Sequence, residues 1–414
     1  MLLRGVVVLA LVLAFGTVAS AQTPIVLSSW AAPEAWEAIG AVFQEDHPEY
    51  RLEYQARPGS DVDDLLVLLI AGTVPDVVQL AAQTRLAFVE IDALLDLAPY
   101  WERSEIVRNA NLFPFVIDAV SRGNEIHGIP YDFSTITWFV DLDALASAGL
   151  PVPDPNWTVA DLRDYAIRLT RRTDNVVTQY GTNFMVGGGN VHNWQWGRNF
   201  VGQGWLTDDF TGVTIEDPRY VAMIEYWLEL GQAGATQLPG FPAPARGDIF
   251  TGGYAMWQGW SHYGDRIQGY DWAMANFPVG PAGGNHFAHT HLLSIPKDAD
   301  DPDKSWVFLE WLLSPKGQRT MVQIGVRQPL SPDPSLWEIF TQTVPANKRE
   351  LLYHHVIDTI YLPNRVDMMQ YWPTWPEVSS IMNQRLNPVW RGQEDPRSAM
   401  IRAAEQIRAI LAGR

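Results

Sequence analysis

Ile25-Val-Leu-Ser-Ser-Trp30, then Pro33 to Phe43 with Trp36, Ile39, Val42 and Phe43 at helical spacing, then Leu52 and Tyr54: the reading of the fold is decided here. Ile25-Val26-Leu27 is a short apolar strand. Pro33 and Glu34 suit a first helical turn, and His47-Pro48 stops the helical pattern. Leu52 and Tyr54 alternate with polar neighbours and predict a second strand. Asp61 then suits the cap of a helix carrying Leu65, Leu66, Leu69 and Ile70 and ending at Gly72, before Val77-Val78 gives a buried strand. Strand, helix, strand, helix, strand predicts an α/β fold built on a parallel sheet with both faces covered. Ligands of such sheets bind beyond the carboxyl ends of the strands, where loops converge, so 29–32, 57–61 and 80–83 are candidate cleft walls.

The same punctuation continues outward. Ala148-Gly149-Leu150-Pro151 ends one helix, and Thr158 is placed to cap the next, which carries Leu162, Tyr165, Ala166 and Leu169. Residues 180–210, with Gly187-Gly188-Gly189 and with Trp194, Trp196 and Trp205 among Asn, Gln and His, read as a long functional loop. Helical spacing returns at 220–230 and 306–313. A C-terminal amphipathic helix over 398–411 places Met400, Ile401, Ala404, Ile407, Ile410 and Leu411 on one face.

Composition bounds the function. The first residues, with an apolar run from Val6 to Phe15 and then Ala19-Ser20-Ala21, read as a secretory signal peptide over 1–21. The run falls short of the roughly 20 residues of a membrane span. The chain has no cysteine, which excludes disulfides, thiolate nucleophiles and a lipid anchor on cysteine, so a freely diffusing periplasmic protein is expected. A length of 414 residues favours two domains. A net charge of −18 argues against nucleic acid and anionic membrane as partners. Eighteen tryptophans, many beside polar residues, offer apolar faces with an N–H edge, suited to a ring with C–H faces and a hydroxyl rim, although tryptophans also fill cores.

Several motifs follow in order: Phe43-Gln-Glu-Asp-His-Pro48, Ala71-Gly-Thr-Val-Pro-Asp-Val77, Ile126-His-Gly-Ile-Pro-Tyr-Asp132, Phe250-Thr-Gly-Gly-Tyr-Ala-Met256, Phe277-Pro-Val-Gly-Pro281, Ile295-Pro-Lys297 and Trp306-Val-Phe-Leu-Glu310. Together they make nearly the whole chain resemble the extracellular solute-binding proteins of ABC importers, in the sugar-binding branch similar to the maltose-binding protein. The resemblance implies a two-lobed periplasmic binding protein fold of α/β class, with a ligand cleft between lobes joined by hinge crossovers. One lobe would comprise 22–131 and 287–326, the other 132–286 and 327–414. It implies a monomer that captures a carbohydrate, a mono- or oligosaccharide, for the membrane permease subunits, without cofactor or catalysis. Carried over by position, the cleft would be lined by Trp30, Gln83, Tyr131 and Asp132, and from the second lobe by Trp194, Trp196, Trp257 and Trp260. Two segments depart from the family pattern: Trp138-Phe-Val-Asp141, where relatives often carry Tyr-Asn, and the histidine-rich Asn285-His-Phe-Ala-His-Thr-His291.

The residues leave other chemistry open. His286, His289 and His291 are good metal ligands, but His289 and His291 are expected on opposite faces of a strand, so no metal site is expected. One of them, His289, is instead a candidate for bonding a ligand hydroxyl. Asp132 can accept paired hydroxyl hydrogen bonds or tie down the crossover. A secreted glycan-active enzyme would need a second carboxylate opposite it, which the sequence does not place. Asp76 suits the turn into the buried strand. Arg57 and Arg327 can clamp an anionic sugar or pair with acids, and a polyol or phosphodiester ligand remains the alternative to a sugar.

Overall fold

The computed structural model describes residues 22–30, 33–57, 65–68, 73–284, 286–324, 328–361, 366–368 and 374–413. The leader expected over 1–21 and the capping Asp61 lie outside them. Strand β1 (Thr23–Ser29) pairs in parallel with β2 (Tyr50–Ala56) and β3 (Val77–Ala81), and the helix Pro33–Asp46 connects the first two. That helix forms as the spacing predicts, burying Trp36, Ile39 and Phe43. Asp76 sets the entry to β3: its carboxylate accepts the Val26 N–H at 2.8 Å and pairs with Lys304 at 3.0 Å.

Beyond β3 the sheet is mixed, with antiparallel and parallel pairs. A separate hairpin is formed by β4 (Ser121–Arg122) and β5 (Glu125–Ile126), and the 13-residue β6 (Ile129–Asp141) is buried throughout. After β7 (Arg171–Thr173) and β8 (Val176–Thr182) come β9 (Tyr254–Trp260), β10 (Trp272–Ala275) and β11 (His286–Ser294), with β12 (Val366–Met368) beside β11. The order is β2-β1-β3-β11-β6-β9-β8-β7, with β10 also on β6; β11 is antiparallel to both β3 and β6.

The strand β6 joins two hydrophobic cores. Its Ile136, Trp138 and Val140 enter one core with Trp196, Trp227 and the C-terminal helices. Ile129, Phe133 and Phe139 enter the other, with Leu27, Trp36 and Phe308. Because side chains alternate along a strand, one polypeptide can serve a different core on each face. Along its length β6 pairs first with β11 and then with β9 and β10.

Local expectations hold where termination chemistry was legible. Gly149, at φ 63°, ends the helix Leu142–Ala148 in the left-handed region, and Leu150 N–H returns to the Leu145 carbonyl at 2.9 Å. Thr158 and Asp161 form a reciprocal capping box. The C-terminal helix spans Pro396–Ala412 and buries Met400, Ala404 and Ile407, but Ala403 rather than Ile401 completes its inner face. The reading of 180–210 as a loop is corrected: Val191–Val201 is a helix, with the Asn190 side chain accepting from Asn193 N–H at its start. Its apolar period was hidden because His192, Asn193, Gln195 and Asn199 are themselves buried, so polar residues occupy inward positions.

Candidate functional site

The pairing of β6 with β11 contains one extra residue. His291 stands opposite Asp132 and Leu292 opposite Pro130, leaving Tyr131 as the bulged position. A bulge breaks the alternation and re-aims side chains, and here it brings both Tyr131 and Asp132 against one imidazole. The Tyr131 and His291 rings lie 6.0 Å apart and 26° from parallel. Both Asp132 oxygens are 2.9 Å from His291 Nδ1, and Oδ1 also accepts the His291 backbone N–H at 2.9 Å. The carboxylate is only 1 % exposed. Burial disfavours a charge unless donors converge on it, which these do.

On one side the site is braced by Gln79 of β3. Its amide donates to the Tyr131 hydroxyl, and its carbonyl accepts from Ser29 Oγ and from the Trp30 N–H at 3.3 Å. Ser29 Oγ also accepts from Trp36 Nε1 at 2.9 Å. Arg57 donates to the Gln79 backbone carbonyl and places its guanidinium 5.1 Å from the Trp30 ring centre. Trp30, half-buried, stands edge-on to His291 at 5.7 Å.

On the other side the rings continue. His289 lies 4.6 Å from His291, and Trp260, again half-buried, lies 5.5 Å from His289 and 6.0 Å from His192. His192 is held through Nδ1 by Gln258 Nε2 at 2.8 Å, while Gln258 Oε1 accepts from Trp196 Nε1 at 3.0 Å. Burial pushes the His192 imidazole down to about 4, against an opposing hydrogen bond with Gln195, so the ring is neutral at physiological pH. Ser134 of β6, opposite His289 in the ladder, has its Oγ 2.8 Å from His262 Nδ1. Arg57, Trp30, His291, His289, Trp260 and His192 thus form one continuous series of ring contacts running from β1 across β11 to β9.

The expectation that His289 and His291 face opposite ways is wrong. Residues two apart on a strand share a face, and their rings touch. No group of three or more His, Cys, Asp or Glu among the described residues could hold a metal. Of the residues singled out from sequence, Trp30, Tyr131, Asp132, Trp260 and His289 come together in this cluster. Trp196 and Trp257 do not: both are fully buried. Trp196 packs on Trp227 and Phe277 at 5.0 Å each, and Trp257 stacks on Phe139 at 4.3 Å while its Nε1 reaches the Tyr270 hydroxyl at 2.9 Å. Trp194 is also buried, with Phe287 at 5.9 Å and the Arg198 guanidinium 5.3 Å over its ring. Gln83 sits in the first turn of the helix Ala82–Glu90, directly after β3. Arg327 lies outside the described residues.

Sequence reasoning missed Gln79, His192, Gln258 and the role of His291. For His291 a signal existed, the period of two along His289-Thr290-His291. For Gln79 the signal was a polar residue inside the buried run Val77–Leu80. Nothing in the sequence announces His192 or Gln258, which meet only when the helix Val191–Val201 packs on β9.

A cluster of half-buried tryptophans, imidazoles and one buried carboxylate can stack against a ring and exchange hydrogen bonds with its substituents. The chain belongs to the bacterial extracellular solute-binding protein family, whose model matches residues 28–319. No curated protein matches the sequence. Among solved structures, an ABC substrate-binding protein from Listeria monocytogenes in complex with cycloalternan is similar at TM-score 0.82 and 18 % identity, over 94 % of this chain and 99 % of that one. The sugar-binding protein MalE from Xanthomonas citri is similar at TM-score 0.74 and 21 % identity, over 94 % and 98 %. UgpB from Mycobacterium tuberculosis, in complex with glycerophosphocholine, is similar at TM-score 0.77 and 17 % identity, over 95 % and 99 %. These likenesses establish the two-lobed α/β fold of periplasmic binding proteins. No helix among the described residues is long and apolar enough to cross a membrane.

Proposed function

We propose that this protein captures a carbohydrate, a mono- or oligosaccharide, in the periplasm and delivers it to the permease of an ABC importer. The observation that carries the reading is the ring series from Trp30 to Trp260 with Asp132 buried beside it. Aromatic faces pack on sugar C–H faces, and a carboxylate-braced imidazole suits a hydroxyl rim. Structural neighbours lend support: their ligands include mannobiose and tagatose besides cycloalternan, although ribitol and glycerophosphocholine also occur.

In this reading the lobes are 22–131 with 287–326, and 132–286 with 327–414, hinged where β6 and β11 cross. The protein acts as a monomer, exported by its leader, and returns its ligand unchanged. Closure follows when the ligand favours the closed form over the open one. A thermal-shift screen of the purified chain against oligosaccharides, monosaccharides, polyols, glycerophosphodiesters and peptides tests it. A ligand at a hundred times its Kd adds about 2.7 kcal/mol of stability. A clear rise with a sugar, recovered uncut by chromatography, is the expected result. Stabilisation by a glycerophosphodiester or a peptide alone would overturn the carbohydrate assignment, and cleaved sugar would overturn the transport role.

A further inference from the structure

One polar side chain on an apolar face links two of the rings that contact His291. In β3, Val77 enters the core of Leu27, Trp36, Tyr131 and Leu293, while Val78 and Leu80 enter a different one. Alternation puts Gln79 on the Val77 face, and the ladder with β11 puts it opposite Leu293. Gln79 is 1 % exposed. A buried amide is destabilising unless its donors and its acceptor are met, and Gln79 meets them at both walls of the site. The Trp30 N–H can only donate, so the atom 3.3 Å from it is Oε1, and Nε2 is the atom turned to the Tyr131 hydroxyl. Trp36 Nε1 likewise only donates, so Ser29 Oγ accepts it at 2.9 Å and directs its own proton to Gln79 Oε1. The bonds therefore run one way, from Trp36 through Ser29 and Gln79 to Tyr131, and bonds aligned in this manner reinforce one another.

The backbone of the same residue holds the other wall. Arg57 donates to the Gln79 carbonyl and places its guanidinium 5.1 Å from the Trp30 ring centre. Trp30 and Tyr131 in turn contact the His291 ring at 5.7 and 6.0 Å. Their strands share no ladder, because β3 and β11 stand between β1 and β6 in the sheet. We infer that Gln79 is a positioning residue for ligand capture: it does not meet the solute, but couples Trp30 at the end of β1 to Tyr131 at the bulge of β6, so that the two act on the ligand as one unit. Removing the Tyr131 hydroxyl and removing the Gln79 amide break the same link, and their effects on affinity should not add. This role rests on the proposed function for where the ligand lies, while the link itself stands on the protein's own contacts.

Calorimetry on the full chain, with the most stabilising solute of the screen, tests the link through a double-mutant cycle of Gln79→Met and Tyr131→Phe. Tyr131→Phe should weaken binding about fivefold and Gln79→Met about tenfold. The double variant should stay within about twofold of Gln79→Met, whereas independent effects would multiply to about fiftyfold and overturn the coupling. A Gln79→Met protein that binds normally while Trp30→Ala and Tyr131→Phe bind weakly also overturns it, and leaves the site standing. If neither Trp30→Ala nor Tyr131→Phe changes affinity, the ligand lies elsewhere, and the location of the site falls together with the role of Gln79. A second cycle needs no solute: in urea unfolding, Ser29→Ala and Tyr131→Phe together should lower the midpoint by less than the sum of their separate shifts. Additive shifts overturn the coupling even if every affinity falls as expected. Should Gln79→Met not fold, Gln79→Asn replaces it with the same expectations, since its amide is one methylene too short to span both partners.

Discussion

Trp196, on the helix Val191–Val201, and Trp260, at the end of β9, separate a core role from a site role. Trp196 is fully buried, packed against Trp227 and Phe277, with Nε1 bonded to Gln258. Trp196→Ala removes about 3–5 kcal/mol of packing, and leaving Gln258 Oε1 without its donor costs a further 1–2 kcal/mol or so. That approaches the whole stability of an ordinary domain, about 5–15 kcal/mol. Trp196→Phe keeps most of the ring and loses the hydrogen bond, so about 2 kcal/mol is expected. Trp260 is half-buried against His289 and His192, and Trp260→Ala should cost no more than about 2 kcal/mol of ligand-free stability. Urea unfolding of the ligand-free proteins, followed by circular dichroism, gives the stabilities. Calorimetry with the most stabilising solute of the screen gives the affinities. The expected pattern is that Trp196→Phe loses stability and weakens affinity less than Trp260→Ala does, because it reaches the site only through Gln258 and His192, whereas Trp260→Ala keeps its fold and loses affinity at least tenfold, about 1.4 kcal/mol. A Trp196→Phe protein of full stability that has lost binding, or a Trp260→Ala protein that binds normally, would refute the division into core and site.

Other consequences follow from single contacts. His192 is held below its ordinary value by burial, so it is neutral in the folded protein while the unfolded chain binds a proton from about pH 6.5 downward; stability tied to it is intact above that pH and is lost as pH falls towards about 4. His127, also lowered by burial and by Arg85, acts in the same direction. The melting temperature should drop between pH 7 and pH 4.5 by an amount equivalent to about 3 kcal/mol or less for His192, and His192→Gln should flatten that slope; an unchanged slope would dissociate His192 from it. A Cβ at Gly181 would lie 1.8 Å from the Ala166 carbonyl oxygen, a backbone atom that cannot swing away, so Gly181→Ala should force the helix Val159–Leu169 off β8 and lower stability by roughly 2 kcal/mol or more in urea. Lys304→Met removes the cation beside buried Asp76 and should cost about 3 kcal/mol, with sugar affinity unchanged in calorimetry because the pair bonds β1 at Pro24 and Val26, before the strand reaches Trp30.

Much of the fold was legible because its signals are local. A capping threonine, a left-handed glycine and a helix of evenly spaced apolar residues each need only a few neighbours, and Thr158, Gly149 and Trp36 to Phe43 do what their spacing predicts. The helix Val191–Val201 was lost for the opposite reason. Its inward positions carry Asn193 and Gln195, whose burial is tolerated because Asn193 accepts from Trp205 Nε1 at 2.9 Å and Gln195 accepts from Gln258. Polarity in sequence therefore meant partnership, not exposure.

The same inversion governs the tryptophans. Composition pointed to a sugar site through their number, yet Trp194, Trp196 and Trp257 are buried among other rings, while the half-buried Trp30 and Trp260 sit at strand ends. What distinguishes them is position relative to the strand, since a residue leaving the carboxyl end of β1 or β9 has backbone on one side only and cannot be enclosed by the sheet. The decisive feature is the single extra residue at Tyr131. Without that bulge, alternation would send Tyr131 and Asp132 to opposite faces, and His291 would keep at most one of them. Deleting Tyr131 itself should leave Asp132 opposite His291 in the ladder but remove the stacked ring and its hydrogen bond with Gln79, and so weaken binding while the Asp132–His291 contact survives. If a Tyr131 deletion folds and binds its ligand in calorimetry with unchanged affinity, the bulged residue is not part of the site.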